Sequence, residues 1–467
     1  MSSEETPLLN DTQLSHDDVY GRFSPTRKRV ILALVSGCGL LGLFVTGTFT
    51  PSIPQIAKDL DTTGAVVNQL VGIRCLDWRS YWKRVLHILH VFCDGRRPVY
   101  IYTLPVLVFG SLGVATASTV PSLLVWRFFQ AFGGSPGLVL GAGAIGDIYR
   151  LEERGRAMGV FFAAILLGPA IAPIAGGTAT YYFSWRFMQG SLGVMGLIAW
   201  LAIVFFFPET SQPGARGIDQ LRKKEGQNYR PRFVFVNPLR PLALLRSPNL
   251  FLISVITSAS LMSVFVLLIP LAYTIGLRYH IKNEALLGLC FLPAGLGNIL
   301  GARIIGRISD RTVIQWREKR KGAWYPEDRL RAALIPFALV APIPILVYGL
   351  VNQYVDGPLG LTTCLLCLFI SGAGVEMCFG PCAAYLVDVM HARSAESLGA
   401  NNGLRSVLMA LGIAATLPMM DMYGIAATNA ACAAFIWFAF GILVCIIRYG
   451  DQMRAWADVG FSTADNN

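Results

Sequence analysis

Charge is what this chain has least of. Aspartate, glutamate, lysine and arginine make up 14% of its 467 residues, 54% are hydrophobic, and the mean hydropathy is +0.53. A soluble protein of this length needs a charged surface, so the shortage excludes that class and points to a chain that crosses a bilayer repeatedly. Histidine is also scarce, at five residues. The close pair is His87 and His90, no HExxH pattern occurs, and no histidine lies near Cys364/Cys367 or Cys378/Cys382. Metal sites and disulfides are therefore not expected, and the cysteines read as small buried thiols. The sequence lacks a GxxxxGK[ST] loop, which argues against ATP as the driving force. No nucleophile stands beside a base, so the chain is not expected to be an enzyme. With no cleavable leader apparent, the first span is expected to direct insertion.

What is present is a series of apolar runs separated by short loops. Spans are expected at about 30–50, 99–117, 122–145, 156–180, 186–207, 249–272, 284–305, 331–351, 359–389, 401–420 and 424–447. The division is a polar tail (1–29), a first six-helix bundle (30–207), a basic central loop (208–248), a second bundle (249–447) and a C-terminal tail (448–467). The net charge of +11 gathers at Arg27–Arg29, Arg150–Arg156, the central loop and Arg311–Arg331. Such loops orient a membrane protein and do not form a nucleic-acid face, and they place both termini in the cytosol. The Arg96-Arg97 loop is then cytosolic too, which requires a second crossing between Val66 and Cys93 and twelve crossings in all. Residues 74–94, RCLDWRSYWKRVLHILHVFCD, are too charged for it, at roughly 2.5–3.5 kcal/mol per central charge. A stretch translated out of frame would explain this, because Asp77-Trp78-Arg79 read one nucleotide earlier gives Leu-Ala and an aliphatic residue or Phe. Transcript sequencing tests it. Glu4-Glu5-Thr6-Pro7-Leu8-Leu9, in the tail, has the form of an acidic dileucine sorting address.

Few residues carry chemistry inside the apolar runs. Arg127 and Gln130 lie deep in one, with Gly133 and Gly134 a turn on, and a membrane arginine is a functional candidate. Glu376 lies mid-span and is the candidate titrating carboxylate. Gly159, Gly168-Pro169, Pro173 and Gly176-Gly177 suit a helix that bends and lets another backbone close against it. The halves echo one another: Asp147 and Asp388 end corresponding spans, and Gly95-Arg96 and Gly306-Arg307 precede them by one hairpin. A cytosolic latch is expected, Arg96 or Arg97 with Asp147 and Arg307 or Arg311 with Asp388, closed when the inner side is closed.

These residues carry a resemblance. The chain resembles transporters of the major facilitator superfamily, in the twelve-span drug:proton antiporter branch and its fungal quinidine/dityrosine-resistance-type members. Arg127-x-x-Gln130-x-x-Gly133-Gly134 matches the fourth-helix motif, and the Gly159 to Gly177 series matches the fifth-helix antiporter motif. Gly95-Arg96-Arg97-Pro98, Pro208-Glu209-Thr210, Gly306-Arg307-x-Ser309-Asp310-Arg311, Pro326-Glu327-Asp328-Arg329-Leu330-Arg331 and Asn401-Asn402-x-x-Arg405 match further motifs. The second-half loop keeps the family's acid, Asp310, whereas the first has Phe92 in that place, with Asp94 out of register.

The resemblance implies an all-α polytopic membrane protein of two six-helix bundles that exports small organic compounds in exchange for protons, with Arg127 in the proton path. It implies no cofactor, a proton gradient as the energy source, a monomer in the lipid bilayer, and a plasma, vacuolar or endosomal membrane. Candidate cavity residues are Thr46, Phe49, Phe265, Asn298, Phe379, Asn401, Asn402 and Arg405. Aromatic and neutral polar lining suits amphipathic or weakly cationic substrates. Proton-coupled uptake of a nutrient, and a product that does not transport because of residues 74–94, are the alternatives.

Overall fold

The structure, a computed structural model, describes residues 21–62, 95–149, 151–211, 241–281, 283–323, 325–390 and 394–457. The dileucine-like tail, residues 74–94 with the expected second crossing, most of the central loop and residues 458–467 lie outside them.

Every regular element among the described residues is helical. The first half holds α1 (Pro25–Gly47), the short α2 (Ile53–Asp59), α3 (Arg96–Thr116), α4 (Val120–Gly134), α5 (Pro136–Ile148), α6 (Leu151–Tyr182) and α7 (Trp185–Phe206). The second holds α8 (Pro248–Leu268), α9 (Glu284–Leu289), α10 (Leu292–Lys319), α11 (Glu327–Leu330), α12 (Pro342–Tyr354), α13 (Gly357–Val389), α14 (Ser394–Tyr423) and α15 (Ile425–Trp456). Ten helical runs among the described residues are long and apolar enough to cross a membrane. The further crossing expected at 122–145 is made by α4 and α5, which abut at Ser135 with helical backbone (φ −64°, ψ −33°).

Helix starts follow local chemistry. Ser24, Thr119, Ser184 and Asn283 each accept a backbone N–H of the first turn, and proline occupies the first positions of α1, α4 and α8. Gly424 opens α15 at φ +87°, a conformation that a side chain would strain. Large apolar side chains such as Phe109, Ile198, Phe205 and Phe438 are exposed, as lipid-facing surface requires.

Glycine sets how closely the helices pack. A Cβ at Gly110 would strike the backbone of Gln130, and one at Gly133 the backbone of Leu107, so α3 and α4 meet backbone to backbone. In the second half Gly297, Gly301 and Gly372 bring α10 and α13 together in the same way. The halves join where α6 packs on α9 and α10. Gly177 lies against Glu284 and Gly288, the Pro173 carbonyl against Gly288, and Ala170 against Gly295. Tyr273 adds a contact with the Phe49, Ile53 and Trp185 cluster. This seam lies toward one end of the molecule; Asp147 and Asp388 lie toward the other.

Candidate functional site

The first half is built around one buried arginine. Arg127 is 3% exposed on α4, its guanidinium 4.1 Å from the centroid of the Phe49 ring. Nη2 donates to the Val45 carbonyl at 3.1 Å, and Nη1 donates to Gln130 Oε1 one helical turn on. Gln130 Nε2 in turn donates to Ser111 Oγ and Gln189 Oε1, both at 2.9 Å. The center therefore ties α1, α3, α4 and α7 together. A guanidinium can lie this deep because the Val45 carbonyl and Gln130 Oε1 take its N–H groups and the ring face offers it negative charge density. Ser111 and Gln189 were not singled out from sequence; a glutamine inside an apolar run was the available signal.

The glycine-proline series on α6 splits by face. Gly176 lies against the Thr48 backbone, Gly168 against Leu43 of α1, and Gly177 and Pro173 face the other half. Pro169 and Pro173 sit inside an unbroken helix. Gly159 differs from the expected close approach: it is exposed, and a Cβ there would meet open space.

Glu376, on α13, is half-buried and makes no hydrogen bond or ion pair among the described residues. Phe379 lies one turn on, so the two share a helix face, and the Arg405 guanidinium sits 5.1 Å from its ring centroid. Asn298 adds a buried Oδ1 without a hydrogen-bond partner among the described residues. Phe265 is half-buried, Thr46 hydrogen-bonds the Gly42 carbonyl at 3.4 Å, and Asn402 is exposed. Two cavity candidates are placed otherwise than expected. Phe49 is 1% exposed beneath Arg127, and Asn401 is 1% exposed with Oδ1 accepting from Thr257 at 2.9 Å, so both are taken up by packing between helices.

The charged corners partly rearrange the expected latch. Arg96 Nε meets Asp147 Oδ2 at 2.5 Å, while Arg97 Nη2 donates to the Val204 carbonyl at 2.8 Å. Asp388 pairs with neither Arg307 nor Arg311, which are exposed on α10 and make no ion pair among the described residues; Arg329 takes it, at 2.6 Å. Arg329 also reaches Asp310 at 3.4 Å. The physical reason is position. Arg329 stands at the start of the helical segment after the loop, as Arg96 does at the start of α3, whereas Arg307 lies inside α10 before the loop. In each pair both partners belong to one half, so the pairs hold a half together and do not bridge the halves.

Two further anchors went without a role in the sequence, although their motifs were visible. Glu209 accepts the backbone N–H groups of Arg96 and Arg97, each at 3.0 Å, and of Ser211 at 2.9 Å. Burial pushes its carboxyl up, but those donations outweigh burial and hold it below its ordinary value. In the second half Glu327 pairs with Arg454 and accepts from Tyr385 Oη at 3.3 Å, while Asn249 donates to Tyr385 and to the Gly450 carbonyl. Beside them Asp328 takes Arg320 at 2.5 Å and Arg331 at 3.1 Å. Among the described residues no group of three or more His, Cys, Asp or Glu is placed to hold a metal.

The profile described as Major Facilitator Superfamily matches residues 35–417. The efflux pump radE of Floropilus chiversii is 26% identical, over 92% of this chain and 82% of the relative. The MFS antiporter QDR3 of Candida albicans is 21% identical, over 92% of this chain and 79% of the relative. A bacterial homolog of the human lysosomal transporter Spinster, solved inward-facing and unoccupied, superposes with a TM-score of 0.68 at 13% identity, covering 94% of this chain and 100% of its own.

Proposed function

We propose that this chain, which belongs to the Major Facilitator Superfamily, exports small organic compounds in exchange for protons by alternating access. Membrane transport is the established part; direction, coupling and substrate class are our reading. The observation that carries it is the Arg127 center, where a guanidinium held to α1 and its Gln130 partner, held to α3 and α7, tie four helices of the first half together. A fixed charge at that depth interacts strongly with any proton or cation that enters nearby, and its partners pass the effect to the helices that must move. Glu376, without a fixed counter-ion among the described residues, is the group that exchanges a proton with the side it faces. Phe379 and Arg405 beside it supply an aromatic face and a charge for an amphipathic substrate. Export is favored by the efflux pump and antiporter among its relatives.

With the basic loops in the cytosol, the seam between α6 and α9–α10 lies on the outer side, and the arrangement is the inward-facing one. Export then requires that seam to open and the Asp147 and Asp388 end to close. Both aspartates are already paired with that end open, so their pairs are not the expected latch. Everted membrane vesicles test the proposal. Substrate entering the vesicle as protons leave is expected, with Arg127→Ala and Glu376→Gln abolishing coupling while the protein still reaches the membrane. Substrate and protons moving in the same direction would overturn export by antiport.

A further inference from the structure

A groove of about 640 Å³ lies between the start of α1 and the start of α6, away from the Arg127 center. Lys28, Arg29 and Tyr149 line its rim with Glu153, and Pro25, Leu32, Ala157 and Val160 complete its walls. Neither Lys28, Arg29 nor Glu153 makes an ion pair among the described residues, so three charges converge on the groove without one another as partners. The Lys28 Nζ stands 5.6 Å from the Tyr149 ring centroid. Burial and the Glu153 charge push the Tyr149 phenol up while Arg29 draws it down, which places the four groups in one electrostatic neighborhood.

The face of α6 decides what the groove meets. Ala170, Pro173 and Gly177 turn toward the second half. Glu153, Val160, Leu167 and Ile171 follow at helical spacing on another side, and the last three are 53%, 42% and 45% exposed. That side is lipid-facing. The groove therefore opens on the bilayer at the end of the molecule that carries Asp147, with an apolar floor running toward the membrane interior and charges at headgroup level.

We infer that this groove binds a phospholipid whose headgroup carries both a phosphate and a primary amine, the phosphate on Lys28 and Arg29 and the ammonium between Glu153 and the Tyr149 ring. Leu32, Ala157 and Val160 take the upper acyl chain. Phosphatidylethanolamine and phosphatidylserine have this chemistry. Phosphatidylglycerol lacks the amine, and phosphatidylcholine has an ammonium without N–H donors.

Native mass spectrometry of the full-length protein, with each of the four lipids added in turn, tests the assignment. The amine-bearing lipids are expected to be retained over phosphatidylcholine and phosphatidylglycerol. Lys28→Gln with Arg29→Gln should lower retention of every phospholipid by about tenfold or more, as the loss of two basic contacts at a membrane surface implies. Glu153→Gln should leave phosphatidylglycerol binding intact and remove only the preference for the amine. Unchanged thermal unfolding of the variants separates lost binding from lost folding. Wild-type retention in the double variant, or an amine preference that survives Glu153→Gln, would overturn the assignment. Displacement of the lipid by millimolar inorganic phosphate would overturn it in favor of a soluble anion.

Discussion

In the first half the start of α3 is fastened to the chain beyond α7 by Glu209, whose carboxylate gathers backbone N–H groups. In the second half the matching corner, between α11 and the end of α15, is fastened by a buried ion pair, Glu327 with Arg454. Both corners have a glycine where the carboxylate needs room. A Cβ at Gly95, which has φ +135°, would run into Glu209, and one at Gly450 into Glu327. Both are followed by an arginine to aspartate clamp, Arg96–Asp147 and Arg329–Asp388. The same mechanical joint is thus closed once by several hydrogen bonds to a helix terminus and once by two opposite charges out of water. The first kind loosens in steps as donors find water. The second fails outright, because removing one partner leaves a buried charge.

That difference can be broken at its strongest point. Arg454→Met leaves Glu327, 5% exposed, without its counter-charge and is expected to cost about 3–5 kcal/mol. Thermal unfolding of the purified protein in detergent reads the loss, and Arg454→Met with Glu327→Leu should recover most of it. If the single change destabilizes no more than Glu209→Ala, the contrast between the corners is gone.

Next in size are the clamps. Asp147→Asn and Asp388→Asn each remove a charge-assisted pair and are expected to slow transport about tenfold, equivalent to about 1.4 kcal/mol, with membrane insertion intact. Vesicle transport rates normalized to protein in the membrane check this, and wild-type turnover in either variant would show that its pair is not needed to keep its half rigid as the halves move.

Glu209→Ala should cost about 1–2 kcal/mol, the range of a lost helix cap. Because the folded carboxyl is held below its ordinary value, its stabilization is present above the unfolded pKa and is lost as pH falls through the lowered folded value. Unfolding followed from neutral to acid pH should show that acid-side loss in the wild type and lack this component in Glu209→Gln. Smallest of all, Arg307→Gln and Arg311→Gln should change stability by less than about 0.5 kcal/mol, since both are exposed without an ion pair among the described residues. A large loss from either would mean that the second clamp is not centered on Arg329.

Hydropathy and loop charge, read along the chain, were enough to put each described crossing on its helices, because an apolar run of that length has no other way to bury its backbone. They did not set every helix end: α10 continues past the expected 305 to Lys319, α14 starts at Ser394 ahead of the expected 401, and α15 runs through the start of the expected tail to Trp456. They also singled out Arg127 with Gln130, since an arginine in such a run is conspicuous wherever the helix points. They did not reveal that Phe49 lies under that arginine, that a Cβ at Gly159 would meet open space, or that Asp388 faces Arg329 and not Arg307. Those outcomes depend on helix rotation and on where each helix ends relative to its neighbor. Glycine-mediated backbone contacts between α3 and α4, and between α10 and α13, hold those helices in place. The sequence alone determined which segments enter the membrane and which charges lie at its surface. Which of those charges meet was decided by tertiary packing, because an ion pair is chosen by distance after the helices have docked.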